Sequence, residues 1–464
     1  MPHTLYLAPC GAKVGLTSVA LGLVRALDNR GVRVAFCKPI GQPLAKSTGP
    51  ERSTHFVRAT TSLRPALPLS LEEAERLISS DRSDELMERV MRDFHESASD
   101  ADVVVVEGLA HSTDMPLGAT LNVQLVRTLS AQVILAGSLA GSPMEEFDER
   151  LEVAASQYGG LEGGAVIGCI INRVPDPSKA SLAALRDDLA SKSRVLERGG
   201  FHLIGAIPQN QELTACRTID IARHLGARVL HEGEIQTRRA KKISLLARTV
   251  PNMLHTFQAG SILVTPIDRS DVMMAVALSA LKTPMAGLVL TGEFHLDERV
   301  WNLCRPGLET GLPVMNVESN SWETATLLGQ MSSEVPEDDL ERVQLGMDHV
   351  ARYIDADWIA SHSAIPVETR MSPAAFCYRI TERARALEKR IILPEGDEPR
   401  TIRAAALCAQ RHIARCVLLG NPEEIHRVAS GLEVELPNNL EILDPTLIRG
   451  NYVGPLVEMR KSKG

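Results

Sequence analysis

The sequence lacks any C-x-x-C pair. Its eight cysteines stand apart in the chain, at Cys10, Cys37, Cys169, Cys216, Cys304, Cys377, Cys408 and Cys416. The usual cysteine spacing of a zinc site or a dithiol redox motif is therefore missing. Because several of these cysteines lie in apolar runs, as buried thiols do, we expect reduced thiols, no metal and a cytoplasmic location.

Long apolar runs and long basic runs are also missing. The longest helical apolar stretch, Val272 to Leu281, is about half as long as a membrane span requires. Lys13 interrupts the apolar start of the chain, which is unlike a signal peptide. The formal net charge is −8. These features predict no membrane and no nucleic acid as partners.

The chain has an ordinary globular composition, with 44% hydrophobic and 23% charged residues. Its length of 464 residues is enough for about three domains. Strand-like and helix-like segments alternate in the first part. The run Asp102 to Val106 is apolar and β-branched throughout, as in a parallel strand buried on both faces. The pattern predicts an α/β fold with a doubly wound parallel sheet.

Two more α/β units follow, and we divide the chain into four parts. The second unit has strand patterns at Ser261 to Thr265 and Gly287 to Leu290. The third contains one complete strand-helix-strand crossover. The predicted parts are a phosphate-loop domain, a smaller α/β domain, a polar helical connector with a linker from Ser363 to Ser372, and a last, incomplete α/β domain, at residues 1–209, 210–326, 327–375 and 376–464.

The first motif lies between the first strand and the first helix, where backbone N–H groups and the helix dipole favour an anion. Its candidate phosphate-binding residues are Gly11, Lys13, Gly15, Thr17 and Ser18. Compared with the pattern G-x-x-x-x-G-K-[ST], Cys10 replaces the first glycine and Leu16 replaces the lysine. Two interpretations stay open: a loop that still binds an anion or a nucleotide, and a degenerate loop that only maintains the fold.

Three further features stand at strand ends of the same domain. They are Lys38 in Lys38-Pro39, Glu107, whose carboxylate could meet a metal, and Asn172 in Asn172-Arg173. In this order they resemble the dethiobiotin synthetase-like branch of phosphate-loop proteins. The resemblance implies ATP-dependent carboxylation that uses the loop lysine and the Lys-Pro lysine. Leu16 removes the first of these lysines.

The second unit carries Asp268-Arg269-Ser270-Asp271 and, later, Thr291-Gly292-Glu293. The pair resembles the DRTGG domain, with Glu293 at the position of a second glycine. DRTGG domains are associated with regulation and assembly, so the resemblance implies metabolite effectors and a homo-oligomer. The alternative is two polar loops at strand ends.

The third unit carries the most specific sequence motifs of the chain. Leu393-Pro394-Glu395-Gly396-Asp397-Glu398-Pro399-Arg400 joins its first strand to its helix, and Glu458-Met459-Arg460-Lys461 stands near the end of the sequence. These resemble the start of the phosphate acetyl/butyryl transferase domain. The order of all three units resembles the architecture of long bacterial phosphate acetyltransferases, over essentially the whole chain.

That resemblance implies reversible acetyl transfer between coenzyme A and phosphate, with coenzyme A or acetyl-CoA as substrate and no covalently bound cofactor. It also implies that Arg460 contacts coenzyme A; the alternative is a solvated basic helix end. In the family pattern the catalytic residues come after Gly464. We therefore expect a truncated chain with no catalytic residue and no activity alone. Two other functions stay open: an ATP-dependent dethiobiotin synthetase-like enzyme, and a non-catalytic metabolite-binding module.

Overall fold

A computed structural model describes residues 2–42, 50–98, 100–111, 117–162, 164–175, 181–196, 201–293, 295–332, 334–364 and 371–461. These residues form two compact units. The first comprises the described residues within 1–71, 96–123 and 131–367, and the second those within 72–95, 124–130 and 368–464. Among the described helices, none combines the length and the apolar character that crossing a lipid bilayer requires.

The first unit contains a six-stranded sheet in which all strands run parallel, in the order β2-β3-β1-β4-β5-β6. The strands are β1 (His3–Pro9), β2 (Val34–Cys37), β3 (Val103–Glu107), β4 (Gln132–Ser138), β5 (Val166–Val174) and β6 (His202–Pro208). β3 is buried at every position, as its unbroken apolar run predicts. The predicted doubly wound parallel sheet is confirmed.

Helices connect these strands in chain order. They are α1 (Leu16–Asp28), α2 (Arg52–Thr60), α3 (Leu71–Ser79), α4 (Ser83–Ser97), α5 (Gly118–Leu129), α6 (Met144–Ser156) and α7 (Leu182–Ala190). α1 follows the candidate phosphate loop directly and buries one broad apolar face, including Leu16, Val19 and Leu23. Most of α3 and α4 and the end of α5 belong to the second compact unit.

A second sheet in the same unit has five strands in the order β10-β11-β12-β13-β8. The strands are β8 (Arg228–His231), β10 (Lys242–Leu245), β11 (Ser261–Pro266), β12 (Gly287–Thr291) and β13 (Val314–Val317). α8 (Thr218–Leu225) precedes them, α9 (Ser270–Ala280) and α10 (Glu298–Leu308) connect the last three, and α11 (Ser321–Gly329) follows. Only β8 runs antiparallel, at one edge. β7 (Cys216–Arg217) and β9 (Arg239–Ala240) form a separate small ribbon.

The predicted helical connector contains α12 (Leu340–Ala351) and α13 (Ala356–Ala364). Both helices pack into the same apolar core as α1, through residues such as Met347, Val350 and Ile359. The expectation of a mostly polar connector is therefore corrected: its apolar positions cover the face of α1. The predicted linker falls largely on residues 365–370, which lie outside the described residues.

The second unit contains a three-stranded parallel sheet, in the order β14-β15-β16. Its elements are α14 (Pro373–Leu387), β14 (Arg390–Leu393), α15 (Pro399–Gln410), β15 (Arg415–Leu419), α16 (Pro422–Gly431), β16 (Glu441–Leu443) and α17 (Pro445–Arg460). One apolar cluster joins α15, β15 and α16, with Ile402, Leu418 and Ile425 fully buried. The predicted third α/β unit is thus present.

Candidate functional site

The loop between β1 and α1 is held in left-handed backbone conformations. Gly11, Lys13 and Gly15 have φ angles of +148°, +54° and +77°. At Gly15 a side chain would also collide, since a Cβ there would lie 2.7 Å from Asn172 Nδ2. That amide donates a hydrogen bond to Val14 O at 3.0 Å. Asn172, near the end of β5, therefore braces the loop from two strands away in the sheet.

A buried carboxylate lies below the loop. Glu107 at the end of β3 accepts hydrogen bonds on Oε1 from Lys38 Nζ at 3.1 Å, from Thr17 Oγ1 at 3.0 Å and from Ser53 Oγ at 3.0 Å. The side chains of Lys38 and Glu107 are each 3% exposed. Lys38 also donates to Gly108 O at 2.6 Å. The structure thus brings together three of the predicted residues, Thr17, Lys38 and Glu107.

The charge of this cluster is balanced internally, because the Lys38 ammonium neutralises the Glu107 carboxylate. Glu107 Oε2 is buried and has no hydrogen-bond partner among the described residues. Carboxylate and hydroxyl oxygens are ligand types that Mg²⁺ accepts, but Lys38 already holds the other carboxylate oxygen. In the described part of the chain, no group of three or more His, Cys, Asp or Glu side chains is placed to hold a metal ion.

The two residues that depart from the phosphate-loop pattern face inward. Leu16 is 5% exposed and belongs to the apolar core around α1. Cys10 is 4% exposed, and burial raises the pKa of its thiol to about 12. Neither side chain is available to an anion in the loop. Lys13 and Ser18 are exposed, so they lie apart from the buried Lys38–Glu107 pair.

Sequence reasoning missed Ser53. It lies on α2, whose first N–H groups are capped by the Glu51 carboxylate at 3.0 and 2.8 Å. Ser53 is far from Glu107 in sequence and belongs to no recognisable motif, so its contact with Glu107 could not be predicted. The signal that was available is the helix start itself, since a carboxylate such as that of Glu51 is stabilised by the positive end of the helix dipole.

The two DRTGG-like segments lie at the ends of neighbouring strands of the second sheet. Asp268 and Arg269 follow β11, and Arg269 pairs with Asp271 through contacts of 2.8 and 2.9 Å. Thr291, the last residue of β12, shares a hydrogen bond of 2.7 Å with Ser321 at the start of α11. Parallel strands thus bring both segments to one edge of the sheet, as their shared position after strands predicts.

In the third unit, the segment from Leu393 to Arg400 forms a turn and the amino-terminal cap of α15. Glu398 accepts hydrogen bonds from the N–H groups of Arg400 and Thr401 at 2.7 and 2.9 Å, and these bonds hold its pKa below the usual range. A Cβ on Gly396 would lie 2.5 Å from Leu419 O, so only glycine fits there. Arg460 is exposed in the last turn of α17. Residues 462–464 of its motif lie outside the described residues.

Comparison with known proteins decides the family. Phosphate acetyltransferase from Salmonella typhimurium is 43% identical over 100% of this chain and 67% of its own length. The chain belongs to the phosphate acetyltransferase family. The Pseudomonas aeruginosa phosphate acetyltransferase is likewise 43% identical, over 100% of this chain and 66% of its own length. Coenzyme A and acetyl-CoA are substrates of this family, and the predicted acyltransferase identity is confirmed.

Three family models match different parts of this phosphate acetyltransferase family member. An AAA domain matches residues 3–217, a DRTGG domain residues 220–331, and a phosphate acetyl/butaryl transferase residues 375–464. These matches confirm the predicted succession of three kinds of domain. They favour the acetyltransferase over the two other functions considered from the sequence. The predicted boundaries at residues 209, 326 and 375 stay predictions.

A solved structure is also similar to part of the chain. The septum site-determining protein MinD of Pyrococcus horikoshii, complexed with Mg-ADP, covers 45% of this chain and 82% of its own, with 14% identity and a TM-score of 0.28. The acetyltransferases match this chain over its full length, which corresponds to about two thirds of their own length, and the expectation of a truncated chain stays a prediction. The expected lack of activity stays a prediction.

Proposed function

We propose that residues 376–464 contribute to the acyltransferase domain, while the phosphate-loop and DRTGG domains regulate and assemble the enzyme. In the family reaction the sulfur of coenzyme A attacks the carbonyl carbon of acetyl phosphate. The C–O bond breaks and inorganic phosphate leaves, and the reverse reaction consumes acetyl-CoA. The observation that carries this proposal is the 43% identity to phosphate acetyltransferases along 100% of the chain.

The buried Lys38–Glu107 pair below the phosphate loop supports a regulatory role of the first domain, because this lysine is not free to bind a phosphate. In a phosphate-loop enzyme a lysine of the loop meets the β- and γ-phosphates. Here Leu16 is buried in the core, and Lys38 is held by Glu107 at 3.1 Å. A nucleotide phosphate would have to draw the Lys38 ammonium away from a buried carboxylate. We infer that the loop, with Gly11, Gly15 and Thr17, maintains the fold and binds nucleotide weakly if at all.

Metabolite effectors and a homo-oligomer belong to the same proposal. Its support is the DRTGG match over residues 220–331, because the resemblance to that domain implies regulation and assembly. Light scattering after size-exclusion chromatography would measure the number of subunits directly.

We place the enzyme in the cytoplasm, a proposal supported by the eight cysteines, all of which are free thiols in the structure.

The decisive experiment assays the native enzyme with acetyl phosphate and coenzyme A and follows formation of the thioester. We expect acetyl-CoA to form at a rate typical of enzymes, about 1–10³ per second. A second assay supplies Mg-ATP, bicarbonate and an amine that can accept the carboxyl group, in place of acetyl phosphate and coenzyme A, and follows release of inorganic phosphate. Phosphate release without any acetyl-CoA formation would overturn the acetyltransferase proposal in favour of the dethiobiotin synthetase-like alternative.

A further inference from the structure

Trp358 of α13 is held between two imidazole rings. His202 of β6 stacks on one side of the indole, with ring centroids 4.2 Å apart and an angle of 10° between the planes. His362, one turn further along α13, stacks at 4.8 Å and 11°. The ring of His3 on β1 meets His362 edge-on at 5.6 Å. Three histidines from three elements thus enclose the contact between α13 and the first sheet.

The hydrogen bonds of His202 fix its protonation state. Arg186 Nη2 lies 2.8 Å from His202 Nε2, and a guanidinium can only donate. His202 Nε2 must therefore accept, which makes the ring neutral. Asp355 Oδ2 is 3.5 Å from the same nitrogen but is already bound by Arg186 Nη1 at 2.6 Å. A proton on Nε2 would face the guanidinium at 2.8 Å, and the Asp355 carboxylate at 3.5 Å would offset only part of that repulsion.

The other two rings are equally unsuited to a second proton. His362 Nε2 lies 2.9 Å from Gln132 Oε1, a neutral partner. His3 Nε2 is buried and has no hydrogen-bond partner among the described residues. Burial lowers the pKa of each of the three imidazoles. The positive charge of Arg186 lowers the pKa of His202 further, and Asp355 offsets part of this. A proton on His362 would in turn lower the pKa of His3.

These contacts join α13 to the rest of the domain. Asp355 Oδ1 accepts from Trp358 N at 3.0 Å and so caps the start of α13, while its other oxygen binds Arg186. On the side facing α1, Ala356 and Ile359 are buried in the core. Movement of α13 away from the sheet would therefore break the ion pair of Asp355 with Arg186, the stack of Trp358 on His202 and part of the core that covers α1.

We propose that α13 is an acid-sensitive clasp, which uptake of protons by His202, His362 and His3 releases from the edge of the first sheet. The charged and titratable groups that face it are Arg186 of α7, Asp355 at the start of α13 and the three imidazoles themselves. Asp357 of α13 also pairs with Arg30, which follows α1, at 2.7 Å on the exposed side of the helix. The neutral amide of Gln132 completes the set. Protonated His202 repels Arg186, and protonated His362 and His3 repel each other.

The direction of the pH dependence follows from the lowered pKa values. The packed state holds the imidazoles neutral, while the released state lets each titrate near its usual pKa of about 6.5. Above that pH neither state binds the protons, and the clasp is fully stable. As the pH falls below it, the released state binds more protons. Each titrating histidine then shifts the equilibrium toward release by up to about tenfold per pH unit.

Hydrogen exchange of the α13 amides in the whole chain, measured at pH values from about 8 to 5 and corrected for intrinsic exchange, tests the clasp. We expect protection of α13 to fall below pH ~6.5, while amides of α9 in the second sheet keep theirs. Fluorescence of Trp358, in a chain with Trp301→Phe and Trp322→Phe, should change over the same range. Protection of α13 that is independent of pH would overturn the proposal.

Two variants separate the clasp from general acid sensitivity. His202→Gln retains an acceptor for Arg186 but cannot take up a proton, so it should flatten the loss of protection. Arg186→Gln frees Asp355 to pair with protonated His202, so α13 should stay protected to lower pH. His231→Gln, at a histidine of β8 that bonds Leu312 O at 2.9 Å, serves as the control with an unchanged profile. Profiles identical to the wild type in both test variants would refute the clasp.

Discussion

Val350 of α12 lies directly against the backbone of Gly22 in α1. A Cβ placed on Gly22 would come within 2.2 Å of Val350 Cγ1. Because glycine lowers helix stability by about 1 kcal/mol relative to alanine, its presence in the middle of α1 is accounted for by this close approach of the two helices. The contact places the segment predicted as a connector in the core of the first domain.

We predict that Gly22→Ala destabilises the chain by about 1–3 kcal/mol, the usual result of overpacking a core. Val350→Ala alone also destabilises, through loss of buried methyl groups. The double variant Gly22→Ala with Val350→Ala should be more stable than the sum of the two changes indicates. Urea unfolding measures all three, and strict additivity would contradict a direct contact.

Gly346 provides the control within α12. A Cβ there would meet no atom within 4 Å. Gly346→Ala should therefore stabilise the chain by about 0.5–1 kcal/mol through helix propensity and reduced freedom of the unfolded chain.

The Lys38–Glu107 pair gives the second prediction. Lys38→Met leaves a buried carboxylate without its cation and should destabilise the chain by about 3–5 kcal/mol. Adding Glu107→Gln removes the unpaired charge and keeps an acceptor for Thr17 and Ser53, so most of the loss should be recovered. Chemical denaturation of the single and double variants measures this. A double variant no more stable than Lys38→Met would contradict the pairing.

The third prediction concerns Leu16. Restoring the phosphate-loop lysine by Leu16→Lys places an ammonium in the apolar core around α1, and the loss of the buried leucine alone costs at least about 2 kcal/mol. We therefore expect a lower melting temperature and no gain in Mg-ATP affinity by calorimetry. Lys13→Leu, at an exposed position of the same loop, should change stability by no more than about 0.5 kcal/mol. Tight Mg-ATP binding by the native chain, with a Kd near ~1 μM, would show that the loop still binds nucleotide.

Arg460 is the subject of the fourth prediction. A guanidinium can bind phosphate oxygens through two parallel hydrogen bonds, so Arg460→Ala in the native enzyme should raise the KM for coenzyme A much more than the KM for acetyl phosphate. Arg449→Ala, an exposed arginine on the same helix, is the matched control and should change neither. An unchanged KM for coenzyme A would remove Arg460 from the binding site.

The fifth prediction contrasts two ion pairs of the second unit. Glu88 on α4 accepts hydrogen bonds from both Arg385 and Arg411, each at 3.1 Å, and its side chain is 18% exposed. Glu88→Gln should weaken hydrogen-exchange protection of α14 and α15 by about 1–3 kcal/mol. Glu441, which pairs with Arg390 at about half exposure, is the control. Glu441→Gln should cost at most about 1 kcal/mol, and an equal effect of both changes would contradict the contrast.

Much of the fold could be predicted because the strands of a parallel sheet are short unbroken apolar runs. The predicted strand Asp102 to Val106 is β3 at Val103–Glu107, and the helical apolar stretch Val272 to Leu281 corresponds to α9 at Ser270–Ala280. Strand β8 was missed, since Arg228–His231 is partly exposed at a sheet edge and carries little apolar signal. Edge strands depend on their partner more than on their own sequence.

The candidate site was predicted in part for a similar reason. Lys38 follows β2 and Glu107 ends β3, Thr17 begins the helix after β1, and parallel strands bring such positions to one edge of the sheet. Nothing local indicated that Lys38 would point at Glu107 or that Ser53 would join them. The inward orientation of Leu16 was also hidden, because a leucine at the first position of a helix fits either a loop or a core.

The contact between α1 and α12 also sets an order for synthesis. The apolar face of α1 emerges early, but the helix that covers it is made more than 300 residues later. At about 5–20 residues per second, that face waits roughly 15–65 seconds on the ribosome before its partner exists. The second sheet is translated entirely within this interval. The amino-terminal domain is therefore the first to begin folding and, despite its position, cannot finish until the DRTGG domain has been made.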